Sequence, residues 1–184
     1  MIIRLAGPAD LPLLQVIELA AAEPFRLLGM PEIADDDPPS LSHLQKFTDD
    51  GRCWVATESA KGAQGTDGND LGEEPVAYLL ASRVDGTAHI EQVSVIPTAA
   101  RRGIGAALID HLAVWAVEQG LSALTLTTFA DVPWNAPYYA RLGFRTLEAG
   151  EVGEELCAIR TMEKERGLDR WPRVCMRREL HKSN

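Results

Sequence analysis

The sequence predicts a mixed α/β (α+β) fold, a mostly antiparallel central sheet flanked by helices. Three observations point there. Short β-rich runs bounded by turn residues recur between Arg52 and Ile96. A glycine-containing turn then leads from a strand into a helix with regular apolar spacing near Gly103. After it, strand and helix patterns alternate to the C-terminus. The 184 residues suit one domain, since most domains hold about 100–200 residues.

Each element follows from local chemistry. Met1 to Ala6 reads as a strand, and Pro8-Ala9-Asp10 starts a helix carrying Leu11, Leu14, Ile17 and Leu19 to about Ala22. Glu23 to Ser40, with its prolines and acids, is expected to be mostly loop. Ser40 or Ser42 can cap a short helix through Phe47. Arg52 to Thr57 and Pro75 to Arg83 have strand character, and the small polar residues between them, 58–74, predict a mobile hairpin loop. Asp85-Gly86 is a hairpin signal leading into a strand from Ala88 to Ile96. Ile104, Leu108, Leu112, Trp115 and Ala116 mark one helix face, closed by Gly120. Ala123 to Phe129 is a strand, and Asn135 to Gly143 brackets a short helix. Gly143 to Leu147 is a strand, Glu154 to Arg166 a helix, and Arg173 to Arg178 a last strand.

Composition removes several function classes. The net charge of −9 argues against general nucleic-acid binding, which needs a concentrated cationic surface. Much of the acid is clustered, at Glu32 to Asp37, Asp49-Asp50, Asp67 to Glu74 and Glu148 to Glu155. Such clusters commonly serve solubility. No uninterrupted apolar run has signal-peptide or membrane-spanning quality, so the expectation is a cytoplasmic protein without a membrane partner. Cys53, Cys157 and Cys175 form no CxxC pair and read as buried structural thiols. No His, Asp or Glu spacing suggests a metal. His111, inside a helix, is expected to pack.

The stretch Val93-Ser94-Val95-Ile96-Pro97 to Arg101-Arg102-Gly103-Ile104-Gly105-Ala106 carries the chemistry. A helix start presents unbonded N–H groups and the positive end of the macrodipole, and glycine lets an anion approach the backbone. Arg101 and Arg102 add positive charge; the structural alternative is a tight turn with two solvated arginines. A nucleotide-hydrolysing P-loop is excluded because no Lys-Ser/Thr follows the glycines. A dinucleotide fingerprint fails at Leu108, and Thr127-Thr128 stand where an acid is required.

Ala100-Arg101-Arg102-Gly103-Ile104-Gly105 resembles the phosphate turn of the GNAT superfamily of acetyl-coenzyme A-dependent N-acetyltransferases, with Ala100 replacing the usual Arg or Gln. Trp134-Asn135-Ala136-Pro137-Tyr138-Tyr139-Ala140-Arg141-Leu142-Gly143-Phe144 is similar to that family's later Asn…Tyr…Gly-Phe motif. The resemblance covers about Trp54 to Phe144. It implies a GNAT fold whose splayed strand pair holds acyl-CoA, and acetyl-CoA as cosubstrate. It also implies acetyl transfer to a primary amine by direct attack in a ternary complex. Backbone N–H groups of Val93, Ser94 and Val95 would hold the acetyl carbonyl; Arg101, Arg102, Gly103, Ile104, Gly105 and Ala106 would hold the phosphates. Tyr139 matches the tyrosine that protonates the departing thiolate, while Tyr138 is expected to pack in the core. Asn135 either caps its helix or bonds the pantetheine arm.

The base that takes the amine proton stays open among Glu91, Asp131 and a bound water; Glu91 shares a face with Val93 and Val95 by alternation. A catalytically inactive acyl-CoA-binding or regulatory domain is the rival reading. The acceptor, a small-molecule or peptide amine, and the acyl-chain length are open. So is a homodimer, for which Trp171-Pro172 and the last strand offer an edge. In this fold the Glu23–Ser40 and Glu148–Glu155 segments would border the acceptor entrance, so their acids motivate a cationic acceptor.

Overall fold

The computed structural model describes residues 1–58 and 74–180. The expected mobile loop falls, from 59 to 73, outside the described residues. Seven strands form one sheet in the order β1-β2-β3-β4-β5-β7-β6. They are β1 (Ile2–Leu5), β2 (Cys53–Thr57), β3 (Pro75–Val84), β4 (Thr87–Val95), β5 (Ala123–Phe129), β6 (Arg145–Thr146) and β7 (Arg173–Glu179). The described pairings β1–β2, β2–β3, β5–β7 and β6–β7 are antiparallel, and β4–β5 is parallel. The helices are α1 (Leu11–Ala22), α2 (Pro31–Ala34), α3 (Leu41–Asp49), α4 (Ile104–Glu118), α5 (Ala136–Arg141) and α6 (Glu154–Glu165). No helix among the described residues is long and apolar enough to cross a membrane.

The chain divides into two compact units, Met1–Leu80 with Gln92–Ile109, and Ala81–Glu91 with Asp110–Asn184. In the first unit α1 and α3 lay Leu11, Leu14, Ile17 and Leu44 on Cys53, Val55, Tyr78 and Leu80 of the sheet. Each such buried aliphatic side chain contributes roughly 1.5–3 kcal/mol. Ser40 caps α3 by accepting the His43 N–H at 3.2 Å. Asp10 occupies the N-cap position of α1, but its carboxylate is taken by Arg4 and the Gly7 N–H instead.

Glu23 to Ser40 is less loop-like than its composition suggests. A 3-10 helix spans Glu23–Leu28 and α2 follows. Pro24 and Pro31 sit in first turns, where the missing N–H costs nothing. Gly29, at φ 71°, ends the first piece by donating to Arg26 O. Arg26 then ties Glu23 to Asp35, at 3.1 and 2.7 Å.

In the second unit, Leu156 and Ile159 of α6 pack on Val84, Leu147 and Cys175. The start of α6 is capped from a distant turn, because the Asp85 carboxylate accepts the N–H groups of Glu155 (3.1 Å) and Leu156 (2.9 Å). Gly153 permits this approach, since a Cβ there would collide with that carboxylate. The strand expected over Gly143 to Leu147 shrinks to β6, followed by a turn that Glu148 and Glu151 cap reciprocally.

Three expected packing roles change. Cys53 and Cys175 are buried, but Cys157 lies exposed on α6. His111 is exposed on α4, whose buried face is Ile104, Leu108, Leu112 and Ala116. Tyr138 is half-buried rather than in the core, since none of the residues of the one-and-a-half-turn α5 is buried.

Candidate active site

β4 is irregular where the chemistry is expected. Asp85-Gly86 is a two-residue turn between Val84 and Thr87, and counting back from it sets Val76 opposite Val95. Yet the Ile96 N–H donates to Val76 O at 3.0 Å, so β4 holds one extra residue, a β-bulge. Side chains locate it. Glu91 accepts from Ser82 of β3, while Gln92 and Ser94 join Tyr78, on the same face of β3 as Ser82, through Glu18. Neighbours Glu91 and Gln92 therefore address one face, and Val93 and Val95 the other. The alternation that placed Glu91 beside Val93 and Val95 does not hold.

In the first unit the polar face of β4 meets α1. Glu18 Oε2 accepts from Tyr78 Oη and Ser94 Oγ, both at 2.6 Å. Its Oε1 accepts from Gln92 Nε2 at 2.9 Å, and that amide also donates to Ser94 Oγ at 2.9 Å. Burial, then the adjacent Glu18 charge, pushes the Tyr78 phenol well above its ordinary pKa, so it remains a donor. Glu18 and Gln92 carried no expectation from sequence. Their signal was an acid four residues after Leu14 on the apolar stripe of α1, facing polar residues that alternate with valines.

Also in the first unit, Pro97–Ala99 forms a 3-10 turn and leads to the start of α4. Arg101, at φ 62°, and Gly103, at φ 80°, adopt left-handed backbone, which only glycine enters without strain. The Ala107 N–H bonds Gly103 O at 2.9 Å, so Ile104, Gly105 and Ala106 precede the helical ladder and present their N–H groups at its positive end. An anion fits such a terminus. Arg102 is engaged by Glu58 at 2.7 Å; Arg101 is exposed.

In the second unit Tyr139 sits on α5, its ring packed edge-on against Tyr138 (5.5 Å) and Phe144 (5.7 Å). Enclosure of the ring, with a smaller effect of Tyr138, raises its phenol pKa strongly, so it stays protonated through the neutral range. Asn135 begins α5 by position but does not cap it with its side chain, which donates to Thr128 Oγ1 at 2.7 Å. Glu91 and Asp131 are exposed.

Behind Glu91, buried His89 Nδ1 lies 3.1 Å from Thr125 Oγ1, which lies 2.9 Å from Thr87 Oγ1; Thr87 donates to Val84 O. The chain of hydroxyls therefore runs outward from a protonated Nδ1. Burial lowers the His89 pKa, with the Glu91 charge opposing, and keeps the ring neutral. The β4–β5 ladder pairs Ala88 with Leu124 and His89 with Thr125, at the beginning of both strands.

The family and the fold have counterparts among known proteins. Residues 15–144 match the acetyltransferase (GNAT) family. The fold is similar to an acetyltransferase of the GNAT family from Staphylococcus aureus Mu50, with a TM-score of 0.70, 15% identity, and coverage of 98% of this chain and 99% of that one. Rv2747 from Mycobacterium tuberculosis, solved in complex with CoA, gives a TM-score of 0.66 at 19% identity, covering 98% and 100%. N-acetylglutamate synthase from Neisseria gonorrhoeae, complexed with coenzyme A and N-acetyl-glutamate, gives 0.66 at 17% identity, and 98% of this chain spans 35% of that one. The family match takes in α4 and the Asn135-to-Phe144 segment together, and the chain belongs to the acetyltransferase (GNAT) family.

Proposed function

We propose that the chain acts as one N-acetyltransferase domain that moves the acetyl group of acetyl-CoA to a primary amine by direct attack in a ternary complex. The observation that carries the reading is the start of α4. It combines N–H groups ahead of the helical ladder, left-handed backbone at Arg101 and Gly103, and two arginines in a chain of net charge −9. The complexes of Rv2747 and of the Neisseria synthase with coenzyme A support acetyl-CoA as cosubstrate.

In this reading Arg101, Arg102, Gly103, Ile104, Gly105 and Ala106 hold the phosphates, and Asn135 the pantetheine arm. Backbone N–H groups at Val93, Ser94 and Val95 hold the acetyl carbonyl, which withdraws electrons from the carbon under attack. The amine loses a proton through solvent to Glu91, held by Ser82. Its nitrogen bonds the acetyl carbon, the carbon–sulfur bond breaks as Tyr139 gives its phenolic proton to the sulfur, and the second nitrogen proton, released as the amide forms, restores the Tyr139 phenol through solvent. A phenol that stays protonated at neutral pH suits that last step.

Tyr139→Phe is expected to lower turnover by about 10²–10⁴-fold, the usual weight of a general acid, with coenzyme A affinity nearly unchanged. Steady-state release of free coenzyme A over an amine panel, alongside coenzyme binding, measures both. Unchanged turnover would remove Tyr139 from the mechanism.

A further inference from the structure

Four carboxylates among the described residues are shielded from full exposure: Asp10, Glu18, Glu58 and Glu163. Three of them hold an arginine. Asp10 lies 2.6 Å from Arg4, Glu58 2.7 Å from Arg102, and Glu163 2.7 Å from Arg173. Glu18 instead holds Tyr78, Ser94 and Gln92, all neutral. Hydrogen bonds from neutral groups orient a carboxylate but leave its charge uncancelled, and shielded charges are ordinarily paired.

Protein donors among the described residues use part of the acceptor capacity of Glu18. A carboxylate accepts at about four lone-pair sites. Oε2 uses two, for Tyr78 and Ser94, while Oε1 uses one, for Gln92. One site on Oε1 takes no donor from the described residues. The Gln92 amide spends both N–H bonds, on Glu18 and Ser94, so the group is locked rather than adaptable. Ser94, one of its donors, lies between Val93 and Val95 on β4.

We propose that Glu18 is the acceptor-recognition residue, its free Oε1 position receiving an N–H of a primary ammonium group. This rests on the acetyltransferase reading and gives its acceptor a chemistry: a cationic alkylamine, chosen by one fixed carboxylate on α1. Asp35, by contrast, already has its charge spent on Arg26. Glu18 selects for N–H donors carrying positive charge and against neutral or acidic amines.

The test titrates n-butylammonium chloride into the full-length protein saturated with coenzyme A, by calorimetry, with tetramethylammonium as the cation that has no N–H. Wild type should bind butylammonium and not tetramethylammonium. Glu18→Gln should weaken butylammonium at least tenfold, Glu18→Asp should recover part of the loss, and coenzyme A affinity should stay level as the check on folding. Equal butylammonium affinity in wild type and Glu18→Gln, or none in wild type, overturns the assignment.

Release of coenzyme A from acetyl-CoA separates this claim from the one beneath it. Turnover of cationic amines with the same KM in Glu18→Gln overturns the role of Glu18 and leaves acetyl transfer standing. Butylammonium binding that depends on Glu18, with no release on any amine, supports the ammonium site and overturns acetyl transfer.

Discussion

Glu18 in the first unit and Glu163 in the second are both half-shielded carboxylates bonded to a strand hydroxyl, yet their surroundings are opposite. Glu163 accepts from Thr127 of β5 and is gripped by Arg160 and by Arg173, whose side chain is 8% exposed. Burial alone would raise the Glu163 pKa, but the Thr127 hydroxyl and the two guanidinium groups outweigh it and hold the carboxyl below its ordinary range. Charge and hydrogen bonds both close there, which is the signature of a structural pair. At Glu18 the hydrogen bonds are fixed while the charge stays open. Among the described residues three shielded carboxylates receive an arginine and Glu18 does not, and the proposed ammonium site rests on that contrast.

The largest test of this contrast is on stability. Glu163→Ala leaves Arg173 buried beside Phe129 without its carboxylate, and should cost about 3–5 kcal/mol in urea unfolding. Glu18→Gln strands no cation and should cost only about 1 kcal/mol. Equal losses would break the comparison.

Acid is the next probe. A carboxyl whose folded pKa is lowered stabilises the fold above its unfolded pKa, and that stability is lost as pH falls through the folded value. Glu163, and Asp10 held down first by its bond to Arg4, are such groups. Urea midpoints should therefore fall steadily once pH drops below 4.5, the unperturbed glutamate value. Glu163→Gln should flatten part of that fall.

The smallest expected effect is at the remote cap of α6, the helix that carries Glu163. Asp85→Ala removes the acceptor for the Glu155 and Leu156 N–H groups and should cost about 1 kcal/mol. Thermal unfolding reads the loss, and butylammonium binding in the same variant should match wild type. Loss of binding there would make the ammonium site a consequence of general stability rather than of Glu18.

Legibility in the sequence tracked how local the governing physics was. β5 was readable end to end from Ala123 to Phe129, and α4 from the spacing of Ile104, Leu108, Leu112 and Ala116, because each residue's environment repeats with the element's own period. A serine cap at 40 or 42 was readable for the same reason, and Ser40 is the one that caps. The Glu23–Ser40 segment reads as loop from composition, but Arg26 organises it through partners three and nine residues away. Within the candidate site the glycine-containing turn before α4 and the Asn135-to-Phe144 segment were visible as chain-local patterns. Glu18 was not, because its three donors stand 60 to 76 residues away.

By itself, then, the sequence determined the order of elements, the sheet-with-helices class, the glycine-containing turn that opens α4 and the segment that carries Tyr139, all of which depend on residues within about one element of each other. Tertiary structure alone decided that β4 carries a bulge, that Glu91 turns to Ser82 and away from Val93 and Val95, and that Asn135 serves Thr128 rather than its own helix. It also decided which acids are neutralised. An ion pair or a bulge is fixed by what a neighbouring strand or helix presents, and no pattern along one segment encodes the other side of the contact.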